Sequence, residues 1–173
     1  ATGYQVQGVC YYRTDHTERA LNAFQKALDI FEPLGLKSWI ASILSWRGAL
    51  FYNTKRNREA EKDLTQALSI GPQHIRAMTL NRLGRVYMQR EEWNTAQKCL
   101  EESLTLAKDQ PDYKYWLGSV AHLISIAAKM DQAGRLEDFK EDLEKCVNKI
   151  EKRHTRLEGI ADLRDESDRD GMR

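Results

Sequence analysis

Few residues in this 173-residue chain could carry out a reaction, and their spacing does not suit one. The histidines are His16, His74, His122 and His154, and the cysteines are Cys10, Cys99 and Cys146. There is no HExxH pair to hold zinc, no GxxxxGK loop to cradle a phosphate, and no cysteine set beside a histidine and a glycine-rich oxyanion loop. Cys10 and His16 are close in sequence, but the pattern puts the cysteine in a helix and the histidine at a turn. The adjacent Glu91 and Glu92 would do acid/base work only if both faced one substrate. No catalytic residue, metal site or cofactor is expected. What remains is recognition chemistry: arginines able to fork onto a carboxylate, aromatic platforms and side-chain amides.

Composition narrows the partners. Lys and Arg number 27 against 26 Asp and Glu, a net charge of +1. Nucleic-acid backbones call for concentrated basic surface, so direct nucleic-acid binding is not expected. No apolar run is long enough for membrane insertion. The three cysteines are odd in number, far apart and without a CxxC pair. That pattern fits a reducing compartment, and a soluble protein of the cytoplasm is expected. The helical pattern begins almost at Ala1, as in a piece of a longer protein.

The elements that must position the recognition residues show themselves as a repeat. Pro33, Pro72 and Pro111 stand 39 residues apart, each near the end of an amphipathic run. Gly8, Gly48 and Gly84 each precede an alanine, Ala20, Ala60 or Ala96, by 12 residues. Tyr11, Phe51 and Tyr87 follow the glycines; Phe24, Leu64 and Leu100, then Ala27, Ala67 and Ser103, follow the alanines. Glycine lets two helices approach, alanine accepts the neighbour, and the aromatic fills the wedge beside them. The predicted helices are 2–14, 17–32, 37–54, 57–70, 74–90, 93–107, 114–132 and 136–155, four antiparallel pairs. Thr17 and Asn57 are the expected caps of the second and fourth. Glu91 and Glu92 then fall in a turn, where other units have Asp15 and His16 or Lys55 and Arg56.

A degenerate fourth unit follows if Gly134-Arg135 is the turn and Ala127 replaces the glycine. Leu123, Ile126, Ala127 and Met130 then face inward, and Phe139, Leu143 and Cys146 pack from the second helix. Cys99 and Cys146 read as small apolar fillers. The repeat region is taken as 1–157. The segment 158–173, with six acidic residues against three arginines, is taken as a charged, partly disordered tail.

The segments GVCYYRTDHTERALNAFQKALDI, GALFYNTKRNREAEKDLTQALSI and LGRVYMQREEWNTAQKCLEESL resemble the tetratricopeptide repeat family. The family's alternation of large, glycine, aromatic, alanine, large and alanine is carried by Tyr4, Gly8, Tyr11, Ala20, Phe24 and Ala27 in the first. Leu44, Gly48, Phe51, Ala60, Leu64, Ala67 and Pro72 carry it in the second, and Leu80, Leu83, Gly84, Tyr87, Ala96 and Leu100 in the third. The glycines lie 40 and then 36 residues apart, longer than the family's usual period, with the surplus expected around LGLKSW and AKDQPDYKYW. The resemblance implies an all-α, right-handed solenoid of about four helical hairpins whose first helices line a concave groove.

By the family's pattern, that groove receives Tyr12 and Arg13 from the first unit, and Trp46, Tyr52 and Asn53 from the second. Asn81, Arg82, Arg85 and Gln89 come from the third; the fourth offers Ala121, Ile124, Ser125, Ala128, Asp131 and Gln132. Gln5 and Val9 stand where chaperone-tail binders of the family carry Asn or Lys, so that carboxylate clamp is missing. A competing reading has Trp46 and Tyr52 packing between repeats and the arginines meeting nearby glutamates. The expected function is a non-enzymatic protein-interaction scaffold that binds a peptide, with acidic or amide-bearing segments preferred, or a partner domain. The alternative is a sensory or autoregulatory module of a larger signalling ATPase or transcriptional regulator, and self-association ranks third.

Overall fold

The computed structural model describes residues 2–108 and 114–170, with side chains through Lys152. Eight helices follow one another: α1 (Thr2–Arg13), α2 (Thr17–Phe31), α3 (Lys37–Asn53), α4 (Asn57–Ile70), α5 (Gln73–Gln89), α6 (Trp93–Ala107), α7 (Lys114–Lys129) and α8 (Ala133–Asp170). They pack as four hairpins, α1 with α2 through α7 with α8, and each second helix also meets the next hairpin's first helix. The result is an all-α solenoid of hairpins.

Each of the first three hairpins is closed at its glycine. A Cβ on Gly8 would fall 2.5 Å from the Phe24 ring, and one on Gly48 would fall 2.7 Å from Leu64 Cγ. At Gly84 the clash would be with Leu100 Cγ at 2.6 Å. The facing Ala20, Ala60 and Ala96 are wholly buried. Side chains in these places would push the helices apart and open a gap along the core.

The turns use a device the sequence hides. Asp15, Lys55, Glu91 and Asp131 all have positive φ, at 59°, 60°, 61° and 52°. After each, an amide reaches back five residues: His16 N–H to Tyr11 O, Arg56 to Phe51, Glu92 to Tyr87 and Gln132 to Ala127, at 2.8–2.9 Å. These bonds satisfy carbonyls orphaned at the end of the first helix, the Schellman arrangement that usually recruits glycine. The expected side-chain caps are not formed. Thr17 and Asn57 are the first helical residues, the preceding His16 and Arg56 make no side-chain cap bond, and Asn57 Oδ1 is buried without a partner.

The left-handed residues also fix the register of the fourth hairpin. Its turn is at Asp131, and Gly134 lies inside α8 with nothing within 4 Å of a Cβ placed on it. Counting from that turn, Ile124 and Leu136 occupy the places of the earlier glycines and alanines. Both are half-buried against the core of this hairpin, where the earlier hairpins bury a glycine and an alanine. Phe139 and Cys146 are buried and Leu143 half-buried, opposite Leu123, Ile126 and Ala127. α8 continues to Asp170 instead of ending near residue 155, since 156–170 holds no proline and many helix-forming residues. The segment read as a tail from 158 is therefore helical in backbone through Asp170, and residues 171–173 lie outside the described residues.

The first interval between turns exceeds the second by four residues. Three of these lie in the connection, residues 32–36 against Gly71-Pro72, and one in α2. In the longer connection Gly35 takes a φ of +62°. The other expected long connection, near Pro111, lies outside the described residues.

Gly48→Ala tests the closure. Overpacking against Leu64 should cost about 1–3 kcal/mol despite alanine's better helix propensity. Gly134→Ala, in open space, should be neutral or stabilise by up to ~1 kcal/mol. Urea unfolding of both variants measures the contrast.

Candidate partner-binding site

The turns and glycines hold the hairpins along one face of each first helix, so another face of α1, α3, α5 and α7 is left to form a groove. In it lies a cavity of about 510 Å³ with walls from all four helices. α1 contributes Tyr12 and Arg13, α3 Trp46, and α5 Asn81, Arg82 and Arg85. Lys114, Tyr115, Gly118 and His122 on α7 close the far wall, and among the described residues no carboxylate lines the cavity.

Arg82 is only 7% exposed. Its guanidinium lies 4.0 Å from the Trp46 ring centroid, and Nη1 donates to Ser45 Oγ at 2.8 Å. Ser45 Oγ is in turn 3.0 Å from Thr79 Oγ1. Burial pulls the Arg82 pKa down to about 10, against the favourable influence of Tyr115 and Tyr12, so the group still carries charge at neutral pH. Arg85 sits 4.5 Å over the Tyr52 ring. Among the described residues no carboxylate pairs with Arg13, Arg82 or Arg85.

The aromatic residues hold this arrangement from behind. Tyr12 meets Trp46 edge to face at 5.6 Å, and Asn53 Nδ2 donates to Tyr12 Oη at 3.2 Å. Asn81 is fixed by a buried relay: its Nδ2 donates to Ser119 Oγ at 3.0 Å, Ser119 to Ser103 Oγ at 2.9 Å, and Ser103 to Ala77 O at 2.7 Å. Trp46 and Tyr52 thus do pack between hairpins, but against the arginines. The expected arginine–glutamate contacts are absent from the described residues; both guanidiniums rest on rings.

Of the nine residues singled out in the sequence, Tyr12, Arg13, Trp46, Asn81, Arg82 and Arg85 line the cavity. Tyr52 and Asn53 adjoin it through Arg85 and Tyr12, whereas Gln89 is exposed and outside its wall. Gly118 and His122 were missed because the fourth unit was aligned on Ala127. Carried over from the α5 positions by the Asp131 turn, the same pattern selects Gly118, Ala121 and His122. Gln5 bonds Ser42 Oγ at 2.9 Å and Val9 packs against the core, so both positions serve the fold.

Two other sites carry no comparable cluster. Cys99 is half-buried, and burial with the nearby Glu102 raises its pKa to about 11, the opposite of an activated thiol. No group of three or more His, Cys, Asp or Glu able to hold a metal ion occurs among the described residues. No helix of the described residues is long and apolar enough to cross a membrane.

Stacked hairpins with a groove along their first helices define a helical-repeat architecture. A family model for the tetratricopeptide repeat matches residues 39–109, the whole of the second and third hairpins apart from the start of α3. No curated protein matches the chain. Repeats of this family are in general protein–protein interaction modules and typically non-catalytic.

Arg82 and Asp63 make opposite predictions. Asp63, 4% exposed, accepts a two-point bond from Arg47 at 2.6 and 2.9 Å. Asp63→Asn should cost about 2–4 kcal/mol, because it breaks a buried pair. Arg82→Met exchanges a buried charge without a carboxylate partner for an apolar chain, and should leave stability unchanged or raise it by about 1–4 kcal/mol. Denaturant melts distinguish them.

The cavity also predicts a pH effect. Burial, and then the charge of Arg85, hold His122 below its ordinary pKa. As pH falls below about 6.5, the unfolded chain takes up a proton that folded His122 refuses, so stability present above that pH is progressively lost. His122→Gln should flatten this part of the pH–stability curve, read as the difference between variant and parent.

Proposed function

We propose that the chain is a protein-interaction scaffold that binds an extended peptide segment along the groove of α1, α3, α5 and α7. The observation behind this reading is the cavity beside Arg82, where Arg13, Arg82 and Arg85 converge with Tyr12 and Trp46 and no carboxylate among the described residues pairs with these arginines. Arginine and aromatic anchors in a partly desolvated pocket are what binding hot spots are made of. Unmet positive charge favours an acidic segment, whose association weakens as salt rises. The free, widely spaced cysteines suit a reducing compartment such as the cytoplasm.

Affinity capture with the whole chain, Arg85→Glu and Trp46→Ala provides the test, each checked by circular dichroism. A discrete partner held by the parent should fall at least ~10-fold with Arg85→Glu, and its capture should weaken between low and physiological salt. Equal capture by all three proteins at unchanged helicity would exclude the groove. A stable dimer without another partner would replace this reading with self-association.

A further inference from the structure

A second cavity, of about 380 Å³, adjoins the Arg82 cavity, and Tyr115 lines both. It differs in character: Trp39, Ile75 and Met78 line it beside Ser38, Ser42 and His74, and among the described residues it holds no arginine or lysine. Trp39 is 42% exposed although one side of its indole stacks on Phe31, with centroids 5.6 Å apart. Along the groove, therefore, an apolar hollow stands next to a cationic one. Each is too small for a folded domain and large enough for one side chain.

Resting on the groove reading above, we propose that the site reads two side chains of one extended protein segment: a Glu or Asp at Arg82 and Arg85, and an apolar residue between Trp39 and Met78. Charge complementarity assigns the first. The Arg82 guanidinium is already turned and desolvated by Trp46 and Ser45, so little order is lost when a carboxylate joins its fork. Arg13 and Arg85 add charge without a carboxylate of their own. Apolar burial assigns the second, since a Leu or Met side chain gains about 1.5–3 kcal/mol on leaving water.

Shared use of Tyr115 sets the spacing. Tyr115 lines both hollows, so the two side chains stand only a few residues apart on an extended chain rising ~3.3 Å per residue. His122, on the wall of the cationic hollow among Arg85, Arg82, Lys114 and Tyr115, provides an independent reporter, because a bound carboxylate must raise its pKa.

A display library of random ten-residue peptides, acetylated and amidated so that no terminal charge remains, is panned on the folded full chain. The expected enrichment is Asp or Glu with Leu, Ile, Met or Phe two to four positions away. Arg85→Glu and Arg82→Met should abolish the acidic preference, and Met78→Glu the apolar one, each with at least a ~10-fold loss for the enriched peptide. That peptide should also shift the His122 imidazole titration upward by NMR. Enriched peptides lacking either feature, or preferences that survive their variants, would overturn the two-point reading and leave the groove in place. Absence of any enrichment on a protein with unchanged helicity would remove the groove reading as well.

Discussion

The close approach of paired helices at Gly8, Gly48 and Gly84 governs the architecture. A missing Cβ brings Phe24, Leu64 or Leu100 into direct contact with the opposite backbone. Seven residues beyond each glycine, a left-handed Asp15, Lys55 or Glu91 turns the chain, and its neighbour's amide closes onto the aromatic residue's carbonyl. Contact and turn together set how each second helix lies on the first. The face of the first helix used for this contact is consumed, and its remaining surface becomes the groove.

Burial of arginine follows different rules on the two sides of the solenoid. Arg47 ties α3 to α4 through both oxygens of Asp63 and reaches Gln25 of α2 at 2.8 Å. Its charge is answered within the fold. Arg82, more deeply buried, meets a serine hydroxyl and an indole face, and no carboxylate among the described residues pairs with it. A desolvated cation–π contact contributes about 2 kcal/mol, less than the several kcal/mol that burying an ion costs. Such an imbalance is costly for stability alone, and it is readily understood where an incoming anion completes the set.

The sequence revealed the helices because a glycine, an aromatic and an alanine recur at fixed offsets; seven of the eight end within three residues of the expected positions. The turns were opaque. Lys55 and Glu91 carry no hint of positive φ, whereas Gly134, an apparent turn, is an ordinary helical residue with a free surround. Aligning the fourth unit on Ala127 displaced its groove positions by three residues, and His122 was lost with them. Trp46, Arg82 and Arg85 survived because their positions follow directly from intact glycines. That Arg82 would meet Trp46 instead of a glutamate depended on the distance between α3 and α5, which no spacing along one helix records.

The fourth hairpin has given up the glycine contact, yet α7 still completes the groove. It docks by small polar residues: Ser119 lies in the relay between Asn81 and Ser103, and a Cβ on neighbouring Gly118 would already sit 3.5 Å from Asn81 Nδ2. A larger residue at 118 would stand against Asn81 and reduce the cavity that Gly118 lines. Ser103 occupies the place that Ala27 and Ala67 hold in the earlier hairpins, so one added hydroxyl converts a packing position into an anchor for Asn81. Direction is supplied by that anchor where apolar contact alone would let the helices slide, since a buried hydroxyl left unpaired costs about 1–3 kcal/mol. The cavity wall is therefore held by hydrogen bonds in the hairpin least like the others, and the shape of the cavity depends on Ser103, Ser119 and Gly118 as much as on the arginines that face into it.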